Sequence, residues 1–527
     1  MTRRLLTVLP FALGGCVLVN DFDAFRIGDA AVDGAVDATA EADLPDATPD
    51  AALPDAQPDA DAAIDAPVTC DEPQVVYVAE DGDDSNAGTL EAPLRNIATA
   101  MAQVQDQATL TTVHVGAGSF PTLYESATQI SLPDGVTLRG GFSPDFCTYD
   151  PATYQTTIEQ TFLGGIAIDP MVPPIVSIRG ENLTSGVTLE GFRLSIGRER
   201  DDSHTGIVLI NTPATIRDVT VADGDGREML GIDVRDAPTA RIERVFLAMD
   251  NASHASGGIS LRNVENVVLD QITVERTLNQ GVLASYGIRA VYTVPSPNYE
   301  FDLTRSRIHG GRGSSNSRGV FIDAQMIPTS FVRATITNSL IHGGESGSTN
   351  YGVDIAGRSR NVRLYHNTIY TGENGSFGYG IVFAYQGSGP DLRNNIIFSG
   401  NTQQFCVWHQ NSSWTGLDVT LSNNLFFDCP FALLEDGTLT TDIGALNMLR
   451  NSTANQLANT PPLTSLTGPD MLTGTMGNND WGFPEGAPCA LTDGAFPLAT
   501  VTNDYQGNAR DMTPTIGAIE FSGTCTP

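Results

Sequence analysis

From about residue 180 onward, apolar and polar positions alternate with a period of two in short runs, the pattern of a strand with one face buried. The runs recur as a two-part unit. A glycine followed by apolar-any-apolar opens each copy, as in Gly206-Ile207-Val208-Leu209, Gly231-Ile232-Asp233-Val234 and Gly258-Ile259-Ser260-Leu261. The same opening returns at Gly287, Gly319, Gly352 and Gly380, giving spacings of 25, 27, 29, 32, 33 and 28 residues. The second part is a β-rich run such as TIRDVTV (215–221), RIERVFL (241–247), ATITNSLI (334–341) or VTLSNNLFF (419–427). Strands at this repeat with no helical period between them indicate a solenoid. The fixed leucine frame of leucine-rich repeats and the Trp-Asp marks of propeller blades are both missing. Asn338, Asn367, Asn394 and Asn423 stand at one expected register, where stacked amides bond from coil to coil and Asn tolerates the left-handed turn. The expected fold is all-β: a single-stranded right-handed parallel β-helix. Its eight identified coils, at about 4.8 Å each, make a rod of about 40 Å.

The first seventy residues read differently. Arg3 and Arg4, an apolar run from Leu5 to Leu13, and Gly14-Gly15-Cys16 form an export signal too short to span a bilayer. Its end resembles the lipobox of bacterial lipoproteins. That resemblance implies cleavage before Cys16, lipid attachment there, and anchoring in the outer membrane or at the cell surface, since Val17 and not Asp follows. An ordinary secretory signal with an incidental cysteine is the alternative. Residues 21–70 hold 13 acids against Arg26 alone, with Ala and Pro filling the rest, so the segment cannot bury enough surface to order itself. It reads as an extended disordered tether, an acidic binding tail being the alternative. The expected division is 1–15 signal, 16–70 linker, 71–160 N-terminal cap and first coils, 161–435 β-helix repeats and 436–527 closing segment.

The run VVYVAEDGDDSNAGTLEAPLRNIATAMAQV (75–104) resembles the opening of bacterial β-helix proteins with a DUF1565-type N-terminus. They share a strand, a Gly-Asp-Asp-Ser-Asn loop, a proline and a short helix, here Ile97 to Val104. VHVGAGSF and GVTLRGGFSPDF match their next strands. Pro488-Cys489, Asp493-Gly494, Asp504, Gly507, Arg510 and Ile516 to Glu520 match their closing segment. The resemblance covers most of 73–522 and implies a pectin-lyase-like β-helix. It does not fix a function, because this fold carries lyases, hydrolases, epimerases and non-catalytic adhesins.

Composition narrows the chemistry. The 527 residues carry a net charge of −34 and contain no lysine, every basic side chain but histidine being arginine. Nucleic acid is therefore excluded as a partner, and lysine-based catalysis with it. Of seven cysteines, removing Cys16 leaves an even six in an exported chain: Cys70, Cys147, Cys406, Cys429, Cys489 and Cys525. Proximity favours the pairs Cys70–Cys147, Cys406–Cys429 and Cys489–Cys525 among fifteen pairings. No CxxC or paired-His spacing points to a metal, and no cofactor is expected. The Asp81 to Asn86 loop offers oxygen ligands for Ca²⁺, against the simpler reading of a turn capping its own backbone.

His309 and His342 share a register in neighbouring coils and read as a stacked polar column rather than a catalytic pair. Asp323 and Asp354, at +4 and +2 from their glycines, are the candidate acid and base on one outward face, about 8 Å apart by strand geometry. Arg235 and Arg262 share the +4 register and are the candidate anionic-ligand patch. The leading reading is a monomeric surface lipoprotein with a binding or structural module for carbohydrate or cell-envelope material. The alternative is a polysaccharide lyase or glycoside hydrolase.

Overall fold

The structure, a computed structural model, describes residues 72–123, 129–161, 175–197, 203–249, 251–275, 284–296, 299–324, 331–357, 359, 361–384, 390–399, 404–410, 419–435, 438–447, 452–458, 487–521, 523 and 525. Cys16, Cys70 and the linker lie outside them.

The described chain winds through three long sheets of 12, 13 and 12 strands. Each coil contributes one strand to each sheet, and every pairing between successive coils is parallel. The exception is Thr438–Thr440, at the end of one 12-stranded sheet, which pairs antiparallel with Phe431–Glu435. The first sheet holds the glycine-bearing strands, among them Ser203–Ile210, Asp225–Arg235, Ala284–Val291 and Thr349–Gly357. Inside, side chains stack in columns. Ile207, Ile232, Ile259, Ile288, Val320, Val353, Ile381 and Val407 are one such column, all fully buried. Each is worth about 1.5–3 kcal/mol of apolar burial.

The repeat glycine has a steric cause. A Cβ on Gly258, Gly319 or Gly352 would meet the carbonyl oxygen of the next coil's glycine at 2.5, 2.6 and 2.5 Å. Close approach of backbone, not an unusual φ, therefore demands glycine there.

The second repeat element proves to be two strands in two sheets. TIRDVTV splits into Ala214–Arg217 and Thr220–Ala222, with Asp218 between them at φ 54°. Arg244, Gln271, Arg305, Asn338, His366, Asn394 and Asn423 hold the same left-handed corner in later coils. The expected single asparagine row is thus corrected by one position. Asn338, Asn394 and Asn423 turn the corner, with His366 between them, whereas Asn367 belongs to the next column with Asn395, Asn424 and Asn455. That column makes the amide ladder, Asn367 Nδ2 to Asn395 Oδ1 at 3.1 Å, Asn395 to Asn424 at 3.0 Å and Asn424 to Asn455 at 3.1 Å.

Helix Ile97–Asp106 buries Ile97, Ala100, Met101 and Val104 against the first coils. It thereby closes the N-terminal end of the core, where an open sheet edge would invite pairing with another chain. Beyond the last coil, residues 487–521 do not simply cap the end. They run back as a strap over the outer side of the third sheet, where Ala487, Ala495, Ile516, Ala518 and Ile519 cover Leu340, Tyr370, Ile396, Phe398, Leu425 and Phe427. Cys406–Cys429 and Cys489–Cys525 are disulfides, as expected. Cys147 is also disulfide-bonded.

Candidate functional site

The feature of greatest chemical interest lies on the outer side of the first sheet, one residue before the repeat glycine. Each glycine sits at a bend in its strand, so the side chain before it and the one two after it both face outward. Strand pairing brings Tyr286, Arg318, Tyr351, Tyr379, Phe405 and Phe431 into one column across six coils. The coil spacing of about 4.8 Å suits ring stacking. Tyr351 and Tyr379 stack at 5.3 Å, Tyr379 and Phe405 at 5.4 Å, and Phe405 and Phe431 at 5.0 Å, with ring planes within 22° of parallel. Trp408, from the position two after Cys406, stacks on Tyr379 at 4.8 Å. These rings are half-buried. Phe377, on the same side two residues before Tyr379, is 42% exposed.

Arg318 closes one end of the stack. Its guanidinium lies 4.6 Å from the Phe321 ring and 4.9 Å from the Tyr351 ring, and its Nε donates to Asp354 Oδ2 at 2.8 Å. The two side chains are only 7% and 10% exposed. Burial raises the Asp354 carboxyl above its usual value, partly offset by Arg318. Burial, with Asp354 nearby, pushes the Tyr351 hydroxyl up to about 12. Burial likewise raises Tyr379. At neutral pH the column therefore presents apolar ring faces with two un-ionised hydroxyls, and its one ion pair is internally compensated.

This geometry changes the candidate carboxylate pair. Asp323 and Asp354 do lie on one side, offset by two residues and one coil as counted, since Phe321 pairs with Asp354 and Asp323 with Ala356. Asp354, however, is buried and engaged by Arg318, so it does not stand as a solvent-facing acid or base beside Asp323. Arg235 and Arg262 are register partners in adjacent coils. Arg235 is turned onto buried Asp233, its Nε donating at 2.7 Å, while Arg262 is exposed. His309 and His342 stack at 4.2 Å and are buried. Their Nδ1 atoms accept from the Gly311 and Gly344 amides at 2.9 and 2.8 Å, which fixes both rings as parts of the turn.

In the Asp81 to Asn86 loop, Asp83 Oδ1 accepts the Ser85 amide at 2.8 Å and Asp84 Oδ1 accepts those of Arg95 and Asn96 at 3.1 and 2.9 Å. These carboxylates cap their own loop and the helix start. Among the described residues, the one His/Cys/Asp/Glu group close enough to share a metal is Cys489, Asp493 and Cys525, whose sulfurs are already joined.

The alternation after each glycine does not reveal the aromatic column. The pairs Tyr286-Gly287, Arg318-Gly319, Tyr351-Gly352 and Tyr379-Gly380 carry the signal one position earlier. It fades where Cys406 and Ala432 replace the glycine.

Residues 182–369 match the family described as the right handed beta helix region, and the solenoid is right-handed accordingly. No curated protein matches the chain by sequence. Among solved structures the chain is similar to pectate lyase Pel9A, at 13% identity and TM-score 0.46 over 85% of this chain and 96% of that one. It is also similar to the A-module of the Azotobacter vinelandii mannuronan C-5 epimerase AlgE6, at 15% identity and TM-score 0.39 over 69% and 93%. A third similar structure is the tailspike protein of E. coli bacteriophage HK620, at 11% identity and TM-score 0.37 over 69% and 67%.

Proposed function

We propose that this chain is an exported, lipid-anchored envelope protein whose β-helix binds a carbohydrate chain along the outer aromatic column of its first sheet. The stack of Tyr351, Tyr379, Phe405, Trp408 and Phe431, with exposed Phe377 beside it, carries this reading. Aromatic faces in a row offer apolar platforms to the C–H faces of successive sugar rings, while tyrosine hydroxyls and the indole N–H supply polar anchors. The low local charge favours a neutral chain over a uronate polymer, which the acidic protein as a whole also repels. The lipobox-like end at Cys16 and the acidic linker support display of this domain away from a membrane. The hydrolase alternative finds no comparable support, because the carboxylate expected to partner Asp323 is held by Arg318.

The test is a glycan array probed with the detergent-solubilised full chain, alongside Tyr379→Ala. At least one neutral oligosaccharide class should be retained, and the substitution should weaken it about tenfold, the 1–2 kcal/mol typical of a truncated aromatic anchor. No retained glycan, or retention indifferent to Tyr379, contradicts the proposal.

A further inference from the structure

The strap carries a titratable group at its seam. His366 turns a corner of the solenoid at φ 54° and is wholly buried. Its Nδ1 lies 3.2 Å from the Thr515 carbonyl oxygen on the strap, and its Nε2 lies 2.8 Å from Asn394 Nδ2 in the next coil. A carbonyl only accepts and an amide NH₂ only donates, so these partners place the proton on Nδ1 and leave Nε2 as acceptor. The Asn394 amide is fixed in turn by the strap. Its Oδ1 accepts the Phe496 N–H at 2.9 Å and its Nδ2 donates to the Phe496 carbonyl at 2.7 Å. The Asn394 backbone carbonyl also accepts the Gly517 amide at 2.8 Å.

We propose that His366 is a pH latch for the C-terminal strap: a proton added at Nε2 sets two donors against each other, and acidification thereby releases residues 487–521 from the solenoid. Turning the Asn394 amide to relieve that conflict would reverse both of its bonds to Phe496. The disulfide Cys489–Cys525 joins the strap to itself, so release needs no covalent bond to break.

The surrounding charges agree with this direction. From the strap, the Arg510 guanidinium faces His366 and is itself paired with Glu520 at 2.8 Å, with Asp504 close by. From the solenoid, Arg393 in the next coil is turned onto its own Asp391 at 2.7 Å. Burial first, and then Arg510, hold the imidazole well below its usual 6.5, outweighing the Thr515 and Gly517 carbonyls, which favour the protonated ring. A base whose affinity for protons is lowered on docking binds them more readily once released. Docking strength is therefore level above about pH 6.5 and falls as pH drops below it. Glu520 acts in the opposite sense, because burial raises its carboxyl above the usual 4.5 and protonation then favours the docked state. It therefore opposes the His366 response and cannot be the source of a loss of docking on acidification.

Hydrogen exchange of the full chain between pH 7.5 and 5.0 tests this. The Phe496, Gly517 and Ala518 amides, which all donate to the solenoid, should lose protection by up to tenfold per pH unit below about 6.5. Core amides such as Ile369 serve as the reference and should not respond. His366→Asn keeps a residue suited to the left-handed corner and removes the titration, so its strap protection should be flat with pH. A flat profile in the unsubstituted chain, or the same fall in His366→Asn, overturns the latch. Should His366→Asn dock loosely at every pH, Glu520→Gln decides: with the opposing titration removed the fall must persist or steepen, and its disappearance overturns the latch.

Discussion

The solenoid turns the corner between its second and third sheets in two different ways along its length. In the earlier coils the corner is laced by ion pairs: Arg139 and Arg217 with Glu190, Arg244 with Asp218, and Arg305 with Asp270. In the later coils the residue just past the corner forms the neutral ladder of Asn367, Asn395, Asn424 and Asn455, closed by Asn455 Nδ2 donating to Asn447 Oδ1 at 2.9 Å. The arginines of the first group are 26–36% exposed, whereas Asn367, Asn395 and Asn424 are wholly buried. The ladder column points inward and is buried in the earlier coils as well, where it holds Val219, Val245, Ile272 and Ser306. The strap instead covers the later corners themselves, bonding Asn338, His366 and Asn394, and a buried corner tolerates polar groups only when they are neutral or fully paired. Where water reaches the corner, charges suffice. The same backbone geometry is thus stabilised by whichever polar chemistry its solvent exposure allows.

Removing one rung should cost most in the buried ladder. Asn395 Oδ1 accepts the Asn367 amide at 3.0 Å and its Nδ2 donates to the Leu364 carbonyl at 2.7 Å, besides the two ladder bonds. Asn395→Ala leaves several buried partners unmade and should destabilise the later coils by about 3–5 kcal/mol. Thermal unfolding followed by circular dichroism should show an early transition absent from the unsubstituted chain.

Arg318→Met probes the buried ion pair on the aromatic face. Leaving Asp354 buried without its cation should cost about 3–5 kcal/mol near pH 7.5. Its carboxyl, already raised by burial, would move further up. The penalty holds above that raised value and is relieved as pH falls through it. The variant should therefore regain stability relative to the unsubstituted chain on going to pH 5, measured as the difference in melting temperature. The effect should be smallest at the exposed corner. Asp218→Asn, which loosens the Arg244 pair, should cost no more than about 1 kcal/mol. That cost should shrink in 1 M NaCl, whereas the Asn395→Ala cost should not.

Much of this architecture is legible in the residues. The glycine period gives the coil and its β-helical stacking, and sequence proximity gives the pairs Cys406–Cys429 and Cys489–Cys525. The Arg235–Arg262 and His309–His342 registers follow from counting out from the repeat. The corner inside TIRDVTV is not legible, because a left-handed Asp, Arg or Gln looks like any polar residue of an alternating strand. The Arg318–Asp354 pair escapes for another reason: it crosses the bend at Gly319, where counting by twos fails. The strap follows no period at all. It is held by particular bonds to Asn338, His366 and Asn394, of which the sequence marks only the two asparagines, as turn formers.

The most direct test of carbohydrate binding along the aromatic column uses Trp408 as reporter. Trp414→Phe with Trp481→Phe leaves Trp408 as the lone tryptophan of the chain, stacked on Tyr379 at 4.8 Å. Titration with the neutral oligosaccharides retained on the array should change its emission saturably, with a Kd that rises about tenfold when Tyr379 is also replaced by Ala. An oligosaccharide that binds with the same affinity in both backgrounds and leaves Trp408 emission unmoved would place the binding surface elsewhere and contradict the account.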